Sequence, residues 1–270
     1  MLLLRCDGDC GSLTRRLTQQ RQMEDGDDDT VCLGESSFFF VNRDYELTTF
    51  SFGSHSLDLL CLRSASTDFD LTGQLVWPGA VLLNNYLSEN AGILKGCSVI
   101  ELGSGVGVTG ILCSRFCHEV VLTDHNEEVL EARKNIELHS TSDTPTSAVL
   151  RAEKLEWGNS DHLSKILEEY PTGFDLVLGA DIYILYFLQP FLFFQQSSIP
   201  FLFSTVEKLL RHRGGECKFI LAYVSRAKLM DAMVVSEAIR HGLQIDEVDG
   251  TRSVVANLEG VIFEITLKRD

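Results

Sequence analysis

Between Val99 and Gly107 the chain reads Val-Ile-Glu-Leu-Gly-Ser-Gly-Val-Gly, an apolar run that ends in glycines at alternate positions. A short apolar run predicts a buried strand, and the glycines behind it predict a tight turn into a helix. Glycine is needed there because the backbone must turn sharply and come close to a ligand with no Cβ in between. The free N–H groups of the helix that follows face the same place.

What surrounds this unit extends it. Strands are expected at 98–102, 119–123, 148–152, 174–180 and 217–223, separated by helices at 106–116, 126–139, 160–169, 205–211 and 227–242. A further helix starts at Pro78, a residue suited to a first helical turn, and runs to about residue 89. Strands alternating with helices imply crossover connections and a largely parallel sheet covered on both faces. The rhythm breaks at the end, where strands at 243–248 and 261–267 have no helix between them and should pair antiparallel. The fold class is therefore α/β, a Rossmann-like sheet with an antiparallel terminal hairpin. Residues 38–41, 45–52 and 57–62 add two or three antiparallel strands ahead of it. Residues 1–36 carry the acidic run 24–29 and little apolar periodicity, which predicts a flexible tail before one domain at 37–270, with its β extension at 37–72.

Composition sets limits on function. Against 23 basic residues stand 39 acidic ones, a net charge of −16 that disfavours direct nucleic-acid binding and suits a basic protein surface. The eight cysteines lie mostly in apolar runs, and the Cys6/Cys10 and Cys113/Cys117 spacings lack a second ligand pair, so no metal is expected. The opening Met-Leu-Leu-Leu is too short for a secretory core, and residues 182–203 are interrupted by glutamines, serines and Pro190, so no span is expected. A reducing compartment, cytosol or nucleus, follows as the expectation.

Two cofactor classes compete for the glycine loop. Gly105, Gly107 and Gly110 match a dinucleotide fingerprint, but there the first glycine should follow the strand directly. Here the strand-proximal glycine is Gly103, and the third position counted from it is Val108. Glu101 also puts a carboxylate beside the loop, which would repel a pyrophosphate and suit a zwitterion bearing sulfonium and ammonium groups. Asp124, 21 residues after Gly103 at the end of the next strand, stands where a carboxylate accepts hydrogen bonds from ribose hydroxyls. Its other reading is a helix cap, a role for which Asn126 is the better candidate. S-adenosylmethionine is the cofactor these positions favour.

With Glu-Leu-Gly-Ser-Gly-Val-Gly at 101–107, Val-Trp-Pro-Gly-Ala at 76–80, Leu-Thr-Asp at 122–124, Leu-Glu-Trp-Gly at 155–158 and Gly-Ala-Asp-Ile at 179–182, the sequence resembles methyltransferase-like family 16. These are seven-β-strand protein methyltransferases, many acting on lysines of non-histone proteins, and the resemblance runs from about residue 38 to 268. It implies that Trp77 and Ala180 lie against the cofactor and that Glu101, Gly103 and Gly105 hold its methionine end. Asp124 would take the ribose, and Trp157 would wall the adenine with Glu156 near it. Trp157 as plain core is the alternative. Asp181, just past a strand, would orient the acceptor amine; a buried carboxylate paired with a helix N-terminus is the alternative. The family's Asp-x-x-Tyr pattern is broken here, because Ile184 stands three residues after Asp181 and Tyr183 comes one position early. Tyr183 is the residue expected to shape the acceptor channel. Residues 183–194 read as an insertion, part of a stretch with eight aromatics between Tyr183 and Phe203. The function implied is methyl transfer to a protein lysine by a monomer; histidine, arginine, a small molecule or a non-catalytic binding module are the alternatives.

Overall fold

A computed structural model describes residues 45–63, 73–125, 128–140, 148–181 and 198–269. The expected tail at 1–36, the strand at 38–41 and the segment 183–194 with Tyr183 lie outside these residues.

The central sheet is built from β3 (Ser98–Leu102), β4 (Glu119–Asp124), β5 (Val149–Lys154), β6 (Leu176–Ala180), β7 (Lys218–Val224), β8 (Leu243–Glu247) and β10 (Leu258–Leu267), in the spatial order β5-β4-β3-β6-β7-β10-β8. The first five pair in parallel. The last strand runs antiparallel to both neighbours and is inserted between β7 and β8. Short β9 (Ser253–Val255) pairs with the start of β10. This is the mostly parallel sheet with an antiparallel end that the sequence predicts. The order reverses at β3, which has β4 on one side and β6 on the other, and such a switch point opens a crevice at the carboxyl ends of the strands.

Strand side chains alternate between two apolar layers, as a pleated strand requires. Val99 joins Leu82, Leu83 and Leu87 of α1 (Pro78–Glu89) and Val120 and Leu122 of β4 on one face. Ile100 and Leu102 join α4 (Ser160–Glu169), α5 (Ile199–His212) and α6 (Lys228–Arg240) on the other. The N-terminal strands β1 (Tyr45–Phe52) and β2 (His55–Leu62) form a separate antiparallel hairpin. Phe52, Leu57 and Leu59 pack it against Val106, Val108, Ile111 and Leu112 at the start of α2 (Val108–Cys113). Buried Asn135, on α3 (Glu128–Ser140), pins it by accepting from Leu60 N–H (2.7 Å) and donating to Leu60 O and Val106 O (3.2 and 2.9 Å).

Two helix starts differ from expectation for reasons the backbone shows. α2 begins at Val108 rather than 106, because Gly107 at its N-cap has φ +86° and closes the glycine loop before helical geometry starts. α5 begins at Ile199 rather than 205; Pro200 occupies its first turn, where the missing N–H costs no intrahelical bond.

Candidate active site

The carboxyl ends of β3, β4, β5 and β6 surround a cavity of about 290 Å³. Trp77, Glu101, Gly103, Gly105, Asp124, Trp157, Ala180 and Asp181 all line it. Residues scattered over more than a hundred positions thus meet in one place, and of the expected site residues Tyr183 alone lies outside the described chain. The cavity also takes in Ser104 and Leu155, which lie inside the quoted motifs, and His125 and Phe201, which carry no functional signal in the sequence.

The glycine loop has the geometry its residues permit. Gly103 and Gly105 have φ of +68° and +51°, a region side chains disfavour, and a Cβ on Gly105 would fall 2.6 Å from Gly73 O. The shifted dinucleotide match has a packing origin. Cβ atoms on Gly107 or Gly110 would each fall 2.7 Å from Leu122, so these two glycines let α2 approach β4 closely.

Glu101 is not the exposed charge expected at the strand end. The residue is 3% exposed, and its Oε2 accepts a 2.9 Å hydrogen bond from Gly110 N–H. Burial pushes its carboxyl up to about 8, against the smaller downward pull of the Gly110 and Thr109 hydrogen bonds. Near neutrality Glu101 therefore holds a proton until a cation comes beside it, and it repels an anion less than a free carboxylate would. Asp124 has one oxygen on Gly105 N–H (2.9 Å) and the other on His125 N–H (2.7 Å), so it sets the loop as well as facing the cavity. Oδ1 also lies 3.1 Å from His125 Nδ1, while Oδ2 keeps a lone pair for a ligand hydroxyl.

Trp157 is half-buried, packs against the core beside α5 and lines the cavity. Behind it Gly158, with φ +83°, lets the Phe201 ring come within 2.6 Å of where a Cβ would stand. Leu155, Trp157 and Phe201 give this end of the cavity an apolar wall.

Asp181 departs from the role expected for it. Its carboxylate lines the cavity, but Oδ2 accepts from Gly79 N–H at 2.6 Å and Oδ1 pairs with Arg226 at 2.9 Å. Its side chain is 1% exposed and its φ is +48°. Gly79 is the second residue of α1, so the carboxylate caps that helix, which is the alternative the sequence left open. A Cβ on Gly79 would fall 2.7 Å from Asp181 Cγ, so the Trp-Pro-Gly and Gly-Ala-Asp motifs form one lock. With the side chain this buried, an incoming amine would have to open the packing around it to reach the carboxylate. Sequence reasoning misses Arg226, because a lone arginine in a loop carries no signal until the fold joins it to Asp181, and it gives Gly79 no role beyond its place in the Trp-Pro-Gly motif.

A thioether-linked adenosine zwitterion matches this donor set. Carboxylates stand at the ends of β3 and β4, an apolar aromatic wall lies beyond β5, and the buried Ser104 Oγ in the lining has no protein partner among the described residues. Among these residues no group of three or more His, Cys, Asp or Glu could hold a metal, and no helix is long and apolar enough to cross a membrane.

A family described as lysine methyltransferase matches residues 60–234. The chain is 34% identical over 139 residues to protein N-lysine methyltransferase METTL21A of Mus musculus, covering 50% of this chain and 57% of the relative. It is 36% identical over 117 residues to EEF1A lysine methyltransferase 3 of Xenopus tropicalis, covering 43% and 48%. With METTL21A of Danio rerio it shares 32% identity over 181 residues, 67% of this chain and 73% of the relative. The match thus spans about half the length of the first two relatives.

Proposed function

The chain belongs to the lysine methyltransferase family, and from that premise we propose that it transfers a methyl group from S-adenosylmethionine to a lysine of a non-histone protein. The observation that carries this reading is the cavity at the β3 switch point, where carboxylates and glycine backbone on one side face an aromatic wall on the other. We assign Glu101, Gly103 and Gly105 to the methionine end, Asp124 to the ribose, Trp157 to the adenine, and Trp77 and Ala180 to the remaining wall. Ser104 Oγ is a further donor to this ligand. When bound, S-adenosylmethionine supplies a methyl group activated by a sulfonium, open to in-line attack by a neutral amine. A lysine, with its ordinary pKa of about 10.4, must lose a proton before it attacks. Asp181 contributes by fixing the start of α1 against the end of β6, and Tyr183 is proposed from its sequence position as the aromatic contact for the acceptor. The relatives' names support a protein lysine as acceptor. The net charge of −16 supports a basic protein partner over nucleic acid, and we place the chain in the cytoplasm or nucleus as a monomer.

Isothermal titration with S-adenosylhomocysteine tests the cofactor half; absence of binding overturns it. Incubating the protein with lysate and radiolabelled S-adenosylmethionine, then mapping the label by mass spectrometry, tests the acceptor half. Label on histidine or arginine would overturn lysine as the target, and binding without any transfer would make the chain a non-catalytic module.

A further inference from the structure

Arg226 lies in the connection between β7 and α6, two residues past the strand. Its Nη1 is 2.9 Å from Asp181 Oδ1, and its guanidinium carbon is 5.3 Å from the centroid of the Trp77 ring. One guanidinium therefore touches both the residue that ends β6 and the residue that precedes α1. Those two are 104 positions apart in the chain. Trp77 and Asp181 line the cavity while Arg226 stands outside its lining, so the guanidinium bears on this wall without forming its surface.

The backbone from which Arg226 projects is itself held. Ser225 N–H donates to Glu259 O at 2.8 Å, and Ser225 Oγ donates to Asp231 at 2.9 Å. Asp231 also accepts the Tyr223 hydroxyl at 2.5 Å. Arginine is the residue type that suits the position, because its planar group hydrogen-bonds a carboxylate while laying a face on an aromatic ring. An ammonium offers the charge without the flat face.

We propose that Arg226 is a positioning residue that locks Trp77 and Asp181 into one wall of the cavity, so that losing its guanidinium loosens Trp77 and weakens cofactor binding without any direct contact with the cofactor. The part about Trp77 stands on the geometry alone, and the part about affinity rests on the cofactor reading above.

The test compares Arg226→Ala and Arg226→Lys in the full natural chain for ligand titration, and in a Trp157→Phe chain, which leaves Trp77 as the sole tryptophan, for fluorescence. Acrylamide quenching of Trp77 fluorescence reports the wall, and titration with S-adenosylhomocysteine reports the site. Arg226→Ala is expected to raise the quenching constant and to weaken S-adenosylhomocysteine about tenfold, the scale of one charge-assisted hydrogen bond. Millimolar methylguanidinium should reverse both changes in Arg226→Ala and neither in its parent, a rescue that general destabilisation would not show. Arg226→Lys, which keeps the charge, should fall between parent and alanine variant and serves as the folded comparison if the alanine variant is unstable. Unchanged Trp77 quenching in both variants overturns the proposal, as does failure of methylguanidinium to restore a folded Arg226→Ala. If the natural chain binds no S-adenosylhomocysteine, the cofactor reading falls, and the quenching arm still decides whether Arg226 fixes Trp77.

Discussion

Replacing Glu101 with glutamine should change how stability depends on pH more than it changes stability itself. Glu101 is fully buried and its carboxyl is pushed up to about 8 by that burial, while in the unfolded chain it titrates near the ordinary 4.5. Because the folded pKa is raised, the native state holds a proton that the unfolded state has released between those values. The sign follows from linkage: stability is highest below the unfolded pKa and falls as pH rises towards the folded one. The slope is about 1.4 kcal/mol per pH unit, so some 3 kcal/mol of native stability from this group is lost between about pH 5 and 7.5. Glutamine keeps the shape and the oxygen that accepts from Gly110 N–H, and it has no proton to lose. Urea denaturation of both proteins across that range should therefore give curves that converge or cross, with the variant gaining on the parent by about 3 kcal/mol as pH rises. Other groups titrate identically in both and cancel in the difference. Parallel curves, with a gap that does not change with pH, would refute a buried, proton-holding Glu101. A second consequence joins stability to binding. An ammonium placed beside Glu101 favours its ionised form, so S-adenosylhomocysteine should bind the parent more tightly relative to Glu101→Gln, which offers that ammonium no charge.

Three further substitutions, with Gly92→Ala as a control, probe other joints of the structure. Gly79→Ala places a methyl 2.7 Å from Asp181 Cγ and 3.0 Å from its backbone nitrogen, and should cost about 2 kcal/mol in thermal unfolding together with a loss of S-adenosylhomocysteine affinity. Gly92→Ala, which meets nothing within 4 Å, should be close to neutral in the same measurement. Asn135→Ala leaves Leu60 N–H, Leu60 O and Val106 O unpaired and should destabilise by about 3 kcal/mol. Amide exchange should then rise in β2 while β3 and β4 keep their protection. Asp124→Ala removes the acceptor for Gly105 and His125 N–H as well as the proposed ribose contact, and calorimetry should find S-adenosylhomocysteine weakened about a hundredfold.

The central sheet was legible in the sequence because its strands are short apolar runs with glycine or polar breaks on either side. β3 and α4 fall on the residues expected, and the terminal hairpin was visible from the missing helix between β8 and β10. The misplaced helix starts share a cause: each depends on a backbone angle or a neighbour that local pattern does not encode. At α2 the apolar periodicity begins at Val106, but Gly107 is in a left-handed conformation and belongs to the loop. At α5 the residues before Thr205 are so uniformly apolar that period gives no phase. Burial of Ile199, Leu202, Phe203 and Val206 shows the phase that tertiary packing imposes.

The site was legible to the extent that its chemistry lies at strand ends, which is why Glu101, Asp124, Trp157 and Ala180 fall around one cavity. What sequence could not resolve is how a polar side chain divides itself between ligand and protein. Asp124 and Glu101 both serve the backbone of the glycine loop and its helix, and both still border the cavity. Asp181 lies at the far end of that scale. It follows a strand at the ligand edge, as an acceptor-orienting carboxylate should, yet its side chain is buried and its two oxygens bond Gly79 and Arg226. A motif that places an acid beside a cavity therefore fixes only where the acid is. Whether it acts on a ligand depends on its other partners, and for Asp181 those are a glycine 102 residues earlier and an arginine 45 later. The two motifs flanking the site, one before α1 and one after β6, are in this light halves of a single mechanical joint. Disrupting that joint at Gly79 and at Arg226 should accordingly produce the same phenotype, a loosened Trp77 and a weaker cofactor site. Because the two substitutions act on the same carboxylate, combining them should cost less than the sum of the two alone.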